Sequence, residues 1–260
     1  MSEEVCAVAI MAKASVAGTV KTRLVPPLTF AEAAELNSCA LRDTALNIIE
    51  AAALAPIQGY AAYHPLGSEH FFEQLLPDGF ALLSPREPTI GPSLFHAARD
   101  LLAAGYGSVC LVDADSPTLP TDLLVETVRH LQAPGDRVVL GPAADGGYYL
   151  IGLKRFHPRL FQDIDWSTER VYRQTIARAG EIGLPVVALP EWYDVDDSES
   201  LGVLGRDLLL ARAATGCYRG YRAPSTTAFF ERLVVANRCV KRLFERASPI
   251  PFCTPPAETS

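Results

Sequence analysis

Two carboxylates one residue apart, Asp113 and Asp115, close the apolar run Val109-Cys110-Leu111-Val112 and stand just before Ser116-Pro117. In an open α/β sheet, ligands bind outside the carboxyl ends of the strands. An Asp-x-Asp there can offer hard oxygen ligands to Mg²⁺ or Mn²⁺, which in turn hold a diphosphate. A turn or helix cap accounts for one such aspartate, but not for the pair at a strand end. A second candidate follows the apolar run Ala7–Met11. The stretch from Ala12 to Leu24 sets Lys13, Gly18, Lys21 and Arg23 among small residues. The loop after a first strand is where backbone N–H groups and basic side chains hold phosphates. Arg23 adds a planar fork suited to bidentate phosphate contact. The plainer account is a solvated basic loop. The chain's net charge of −7 weighs against it, because an acidic protein must meet a phosphate with clustered cations or a metal. The stretch fits neither a Walker A motif nor G-x-G-x-x-G, which disfavours a P-loop NTPase or a dinucleotide-dependent dehydrogenase.

Two further acidic segments have structural accounts of their own. Asp145-Gly146-Gly147 separates two strand-like runs and reads as a hairpin turn, in which glycine also lets backbone approach a ligand closely. Tyr148 and Tyr149 then point to opposite faces, so one lines a cleft and the other packs. Asp194-Val195-Asp196-Asp197 precedes Ser198 and an apolar helical run. Asp197 or Ser198 suits the N-cap, and the acidic cluster suits the positive helix end. Trp166-Ser167-Thr168 reads as a helix start, with Trp166 either a core residue or the wall of a site. None of His64, His70, His96, His130 and His157 falls in a metal-ligand or nucleophile pattern, and Met11 reads as core.

The elements that must position these groups alternate. Strand-like runs occur at Val5–Met11, Gln58–Tyr63, Ala81–Ser84, Ser108–Val112, Arg137–Gly141, Tyr148–Gly152 and Pro185–Leu189. Apolar residues recur at helical spacing over Ala31–Ala53, Glu69–Leu76, Ser93–Ala104, Thr121–Gln132 and Glu169–Ile182. Thr29-Phe30-Ala31-Glu32 is a capping-box pattern that starts the first helix near Phe30. Strands separated by helices imply βαβ crossovers and a three-layer α/β fold with a mostly parallel sheet. Near Ala223 the character changes to one amphipathic helix over Thr226–Glu245 and a Pro-rich, frayed end. The expected organisation is a main unit over 1–205, with 206–260 a helical extension of the same domain.

At 260 residues, 49% hydrophobic and 20% charged, the composition is that of a soluble enzyme with a sizeable core, and the acidity argues against a nucleic-acid partner. Cys6, Cys39, Cys110, Cys217, Cys239 and Cys253 show no C-x-x-C spacing and read as reduced small hydrophobes. The apolar run Val5–Ala12 is too short for a spanning helix or a secretory leader, so no membrane association and a cytoplasmic location are expected.

Several of these segments also carry a family resemblance. Met11-Ala12-Lys13-Ala14 with Gly18, then Val20-Lys21-Thr22-Arg23-Leu24, resembles a bacterial family of nucleotide-diphospho-sugar-transferase-like proteins, of the radical-SAM/selenodomain-associated transferase type. Asp115-Ser116-Pro117, Gly141-Pro142 with Asp145 to Gly152, and Asp165-Trp166-Ser167-Thr168 continue the match in order. The Lys-Thr-Arg-Leu stretch with Leu41-Arg42-Asp43 is also similar to 2-phospho-L-lactate guanylyltransferases. Tyr193-Asp194-Val195-Asp196-Asp197 resembles the acidic ending of molybdenum-cofactor nucleotidyltransferases. The chain departs from the first family at Gly91-Pro92-Ser93-Leu94, where Gly-Asp-Leu-Gly is usual, and at Asp113, where a small residue is usual.

The resemblance implies a GT-A-type, Rossmann-like nucleotide-binding fold and a transferase that uses an NTP or a nucleotide-sugar and a small acceptor. It implies that Ala12, Lys13, Gly18, Lys21 and Arg23 meet the nucleotide, with Lys21, Arg23 and Asp115 catalytic. Asp145, Gly146, Gly147, Tyr148 and Trp166 would lie by the acceptor. Mg²⁺ or Mn²⁺ would sit on Asp115 with Asp194 or Asp196, and Asp113 is the weaker metal candidate. Nucleotidyl transfer is slightly preferred over glycosyl transfer. The alternative is a non-catalytic nucleotide-binding protein that keeps the fold, for which the altered Gly91–Leu94 segment is the best support.

Overall fold

In the computed structural model, residues 5–84, 89–209 and 218–246 are described. The expected Pro-rich end, Cys217 and Cys253 lie outside them, as does the side chain of Cys239. Seven strands form one sheet in the order β3-β2-β1-β4-β6-β5-β7. They are β1 Cys6–Lys13, β2 Ile57–His64, β3 Ala81–Leu83, β4 Ser108–Val112, β5 Val138–Pro142, β6 Tyr148–Leu153 and β7 Val186–Ala188. All neighbouring pairs are parallel except the two made by β6, which runs antiparallel to β4 and to β5. The reversal follows from the short turn at Asp145–Gly147, since two strands joined by a tight hairpin must be antiparallel.

Period-two alternation along each central strand feeds two cores. Cys6, Val8 and Ile10 of β1, with Cys110 and Val112 of β4, face α1 (Phe30–Ala52), α4 (Thr121–Gln132) and α6 (Ser198–Leu209). Ala7 and Ala9, with Val109 and Leu111, face α3 (Ile90–Ala103) and α5 (Val171–Glu181). A strand buried on both faces reads as a continuous apolar run, which is why Ser108–Val112 shows no alternation in sequence.

The first helix starts where its capping box places it. Glu32 N donates to Thr29 Oγ1 at 3.2 Å, and Thr29 N donates back to Glu32 Oε2 at 2.7 Å. The helix α2 spans Glu69–Leu75. Two expectations need correction. The tail helix is two, α7 Pro224–Ala236 and α8 Arg238–Arg246, separated at Asn237, whose backbone is extended. Phe229, Phe230, Leu233, Val240 and Phe244 of this pair join the first core. The helix expected from Glu169 begins at Val171: Ser167 takes a left-handed backbone (φ 62°), and Thr168 Oγ1 accepts from Arg170 N at 3.3 Å just ahead of the helix.

The attachment of α7 depends on Asp43 of α1, a fully buried carboxylate. It accepts from Ser225 N at 2.9 Å and Thr226 N at 2.7 Å, the first-turn N–H groups of α7. Cys6 and Cys110 are buried and Cys39 is half-buried, all three as free thiols. Among the described residues, no helix is long and apolar enough to cross a membrane.

Candidate functional site

Three adjoining cavities open around the carboxyl ends of β1, β2 and β4 and the β5–β6 turn, and Met11 lines all of them. Met11 therefore packs on the core and also faces the cavities.

The smallest cavity, about 180 Å³, lies between the ends of β1, β2 and β3 and the first turns of α3, with Lys13, Tyr63, Ser84, Ser93, His96 and Asp100 on its walls. The Nδ1 of His96 is buried there without a hydrogen-bond partner. Sequence reasoning passed over Ser84, Ser93 and Asp100 and set His96 aside with the other histidines as outside any site pattern. Three of them stand at i, i+3 and i+7 on one helix face, and that spacing was read only as apolar periodicity.

The second cavity, about 240 Å³, is bounded by Lys13, Thr19 to Arg23, Asn37, Asp115 and Asp196. Its loop is braced from both sides. Asn37 Nδ2 donates to Lys13 O at 3.1 Å and to Ser15 Oγ at 2.8 Å, and Lys13 Nζ donates to Thr19 O at 2.9 Å. Lys21 takes a left-handed backbone (φ 46°), and its side chain is 5% exposed. Its Nζ donates to Asp115 Oδ1 at 2.5 Å and to Val195 O at 2.8 Å. Arg23 is ion-paired with Asp196. Lys21 and Arg23 thus each meet a carboxylate more than ninety positions away in the chain, while Lys13 braces the loop itself.

The largest cavity, about 500 Å³, is a cleft lined by Asp113, Asp115, Asp145, Asp194 and Asp196, with Tyr148, Trp166 and Glu169 on its other walls. Carboxylate oxygens of Asp145, Asp194 and Asp196 lie within 4.8 Å of one another. Three hard oxygen donors at that spacing fit Mg²⁺ or Mn²⁺. Asp145, which the sequence pointed toward the acceptor, therefore stands with the candidate metal ligands. Asp115 and Asp113 line the same cleft outside this trio.

Crowding shows in the electrostatics. Burial, reinforced by Asp145 and Asp196, pushes the Asp194 carboxyl up to about 7. Burial and then Asp115 raise Asp196, with Lys21 and Arg23 opposing. Asp113 is held well above the usual carboxylate range, first by burial and then by Asp115 and Asp194, and Ser116 Oγ donates to it at 3.1 Å.

The acidic residues are held by backbone and by a buried polar chain. Val195 N donates to Asp115 O at 3.0 Å, and Ala144 N donates to Trp192 O at 3.1 Å. Thr118 Oγ1 donates to Tyr193 Oη at 2.7 Å, and Tyr193 donates to Asp207 at 3.0 Å. At the hairpin, Gly147 N donates to Asp145 Oδ1 at 2.7 Å. Gly146 has φ +88°, and a methyl group there would overlap the backbone of Glu169, so only glycine admits that approach. Tyr172 N donates to Gly146 O at 3.0 Å, tying the turn to α5.

Trp166 is both things the sequence left open, packed on the second core and lining the cleft. Its indole lies over Gly91 so closely that any side chain at that position would collide with it. Tyr149 is fully buried and donates to Pro190 O at 2.9 Å, while Tyr148 is half-buried, as the alternation of faces predicted. Asp197 caps α6, accepting from Glu199 N at 3.0 Å and Ser200 N at 2.9 Å.

A family model described as "Uncharacterized protein conserved in bacteria (DUF2064)" matches residues 47–168, a stretch that holds Asp113, Asp115, Asp145 and Trp166. No curated protein matches the chain. Among solved structures, the chain is similar to a "putative nucleotide-diphospho-sugar transferase" from Desulfovibrio desulfuricans G20, with TM-score 0.76 and 26% identity over 92% of this chain and 97% of that one. A CMP:2-keto-3-deoxy-manno-octonic acid synthetase complexed with CTP matches with TM-score 0.50 and 11% identity, over 74% of this chain and 93% of that chain. A cytidylyltransferase from Leptospira borgpetersenii serovar Hardjo-bovis (strain JB197) matches with TM-score 0.50 and 12% identity, over 95% and 100%. The chain has the α/β fold of nucleotide-diphospho-sugar transferases, and the last two likenesses speak to fold alone.

Proposed function

We propose that the chain is a divalent-metal-dependent transferase that moves a nucleotidyl or glycosyl group from an NTP or a nucleotide-sugar to a small acceptor. The observation that carries this reading is the grouping of three cavities around Met11, with a cationic loop on one side and carboxylates on the other. In this reading residues 1–205 carry the site, and 206–260 are an extension of the same domain.

The nucleoside occupies the cavity beside His96, with Ala12 and Lys13 at its floor. The phosphates pass along the loop that contains Gly18, where Lys21 and Arg23 neutralise charge as it grows on the leaving group. Asp194, Asp196 and Asp145, with Asp115 beside them, form the metal-holding face. Asp113 stays behind Asp115 toward its protonated form. A Mg²⁺ or Mn²⁺ ion bound there would supply Lewis-acid and template chemistry. The acceptor lies against Tyr148, Trp166 and the backbone of Gly146 and Gly147. In the nucleotidyl version its phosphate oxygen attacks the α-phosphorus and pyrophosphate leaves. Positioning and electrostatics suffice for this chemistry, so no histidine base is required.

Glycosyl transfer is the second reading, and the charge of the cleft favours it. Among the described residues its one cation, Arg23, is committed to Asp196 while six carboxylates surround the acceptor space. A neutral hydroxyl acceptor suits such walls better than a phosphate. Incubating the protein and Mg²⁺ with each NTP and with UDP- and GDP-sugars, over a panel of acceptors, tests both. Pyrophosphate release marks nucleotidyl transfer, and nucleoside diphosphate release marks glycosyl transfer. Tight nucleotide binding with neither product would refute catalysis and leave the non-catalytic alternative.

A further inference from the structure

Neither Lys21 nor Arg23 is free in the fold: Lys21 is held by Asp115 and by the Val195 carbonyl, and Arg23 by Asp196. These pairs also form the partition between two cavities. Arg23, Asp115 and Asp196 line both the loop cavity and the acidic cleft, and Lys21 lines the loop cavity. Each pair therefore joins a group suited to phosphate with a group suited to a metal ion.

A carboxylate oxygen that accepts from an ammonium at 2.5 Å is a poorer ligand for a divalent ion while the ammonium stays, because the two cations repel each other across one oxygen. Phosphate is likewise disfavoured at Lys21, since two of its three donors already point at Asp115 and Val195 O and its side chain is 5% exposed. Lys21 also takes a left-handed backbone, costly for a non-glycine residue. Asp115 and the acidic segment are themselves joined by the bond from Val195 N to Asp115 O, so the pairs are mechanically linked.

We propose that metal and diphosphate enter this site by ion-pair exchange: a divalent cation takes Asp115 and Asp196 from Lys21 and Arg23, and the freed ammonium and guanidinium receive the phosphates. The inference rests on the transferase reading above. Charge balances, since two cation–carboxylate pairs become metal–carboxylate and cation–phosphate pairs. Each ligand takes up the partner that would otherwise hold the other out, so the two reinforce each other's binding. The unliganded protein keeps its acidic wall neutralised by its own side chains.

Lys21 reports on the exchange without any turnover. The chain has four lysines, Lys13, Lys21, Lys154 and Lys241. Brief acetic anhydride labelling of the full chain, read per lysine by mass spectrometry, measures how far each amine is free, with Lys154 and Lys241 as internal references. Electron paramagnetic resonance on the same samples gives Mn²⁺ occupancy. Lys21 should label slowly in the unliganded protein. Bound Mn²⁺ should speed it about tenfold, the factor for release from one charge-assisted hydrogen bond. Adding pyrophosphate should return it to slow labelling. Asp115→Asn should label fast with no metal present. Mn²⁺ bound while Lys21 stays protected would overturn the exchange and leave the metal site standing. Fast labelling that pyrophosphate does not reverse would also overturn it. No Mn²⁺ binding at all would remove the exchange together with the metal-dependent reading beneath it.

Discussion

Replacing Lys21 by Met removes the ammonium while keeping most of the side-chain volume, and its cost can be worked from two bonds. The first, to Asp115 at 2.5 Å, is charge-assisted, but the Asp115 side chain is 40% exposed and water can replace the lost donor. That discount brings the usual value for a charged pair down to about 1 kcal/mol. The second, to the carbonyl of Val195 at 2.8 Å, leaves an acceptor on a residue that is 1% exposed. An unsatisfied buried carbonyl costs about 1–3 kcal/mol. The variant should therefore lose about 2–4 kcal/mol of stability, measured by urea unfolding with the slope unchanged. Calorimetric titration with a nucleoside mono-, di- and triphosphate series supplies the functional half. The loss in affinity should widen with each added phosphate, and raising salt should shrink the wild-type advantage. A stability change below about 0.5 kcal/mol, the range of ordinary surface substitutions, together with unchanged affinities across the series, would refute the reasoning.

Asp115→Asn should reduce metal-dependent nucleotide binding or turnover far more than Asp113→Ala, since Asp113 is held toward its protonated form behind it; the reverse order, measured by Mn²⁺ and nucleotide titration, would mean the metal site is misassigned. Asp194 binds its proton more tightly folded, near 7, than unfolded, near its ordinary 3.8, so its contribution to stability is full below 3.8 and is lost as pH rises through 7. The metal-free protein should accordingly melt lower at pH 8 than at pH 5.5, with Mg²⁺ restoring the loss at pH 8; a melting temperature that Mg²⁺ leaves unchanged there would count against the trio as ligands. Asp43→Ala leaves the first-turn N–H groups of α7 uncapped inside the protein and should cost about 2–4 kcal/mol by denaturant unfolding. Asp43→Asn, which keeps one acceptor oxygen, should recover part of that loss.

The strands and most helices were legible in the chain itself, because period-two and period-3.6 burial, the Thr29–Glu32 capping box and the Asp145-Gly146 turn are local physics. The helix over Thr121–Gln132 coincides with its sequence expectation at both ends, and Thr29 caps at the predicted place. Where a local pattern competed with distant packing, the sequence misled. The amphipathic stretch over Thr226–Glu245 reads as one helix, yet it breaks at Asn237, and α7 and α8 both pack into the core. The types of the site residues were equally visible: cations after the first strand, carboxylates after β4 and before α6. Their partners were not. Lys21 meets Asp115 across 94 positions, and Asp43 caps a helix 182 and 183 positions away. Asp145 joined Asp194 and Asp196 only because the antiparallel hairpin and the 192–196 segment meet at the same end of the sheet. Spacing along a chain determines which face of an element a side chain occupies. Which faces come together is decided by sheet order and helix packing, so the sequence by itself determined the elements and the stock of reactive groups, and the tertiary structure decided their pairing.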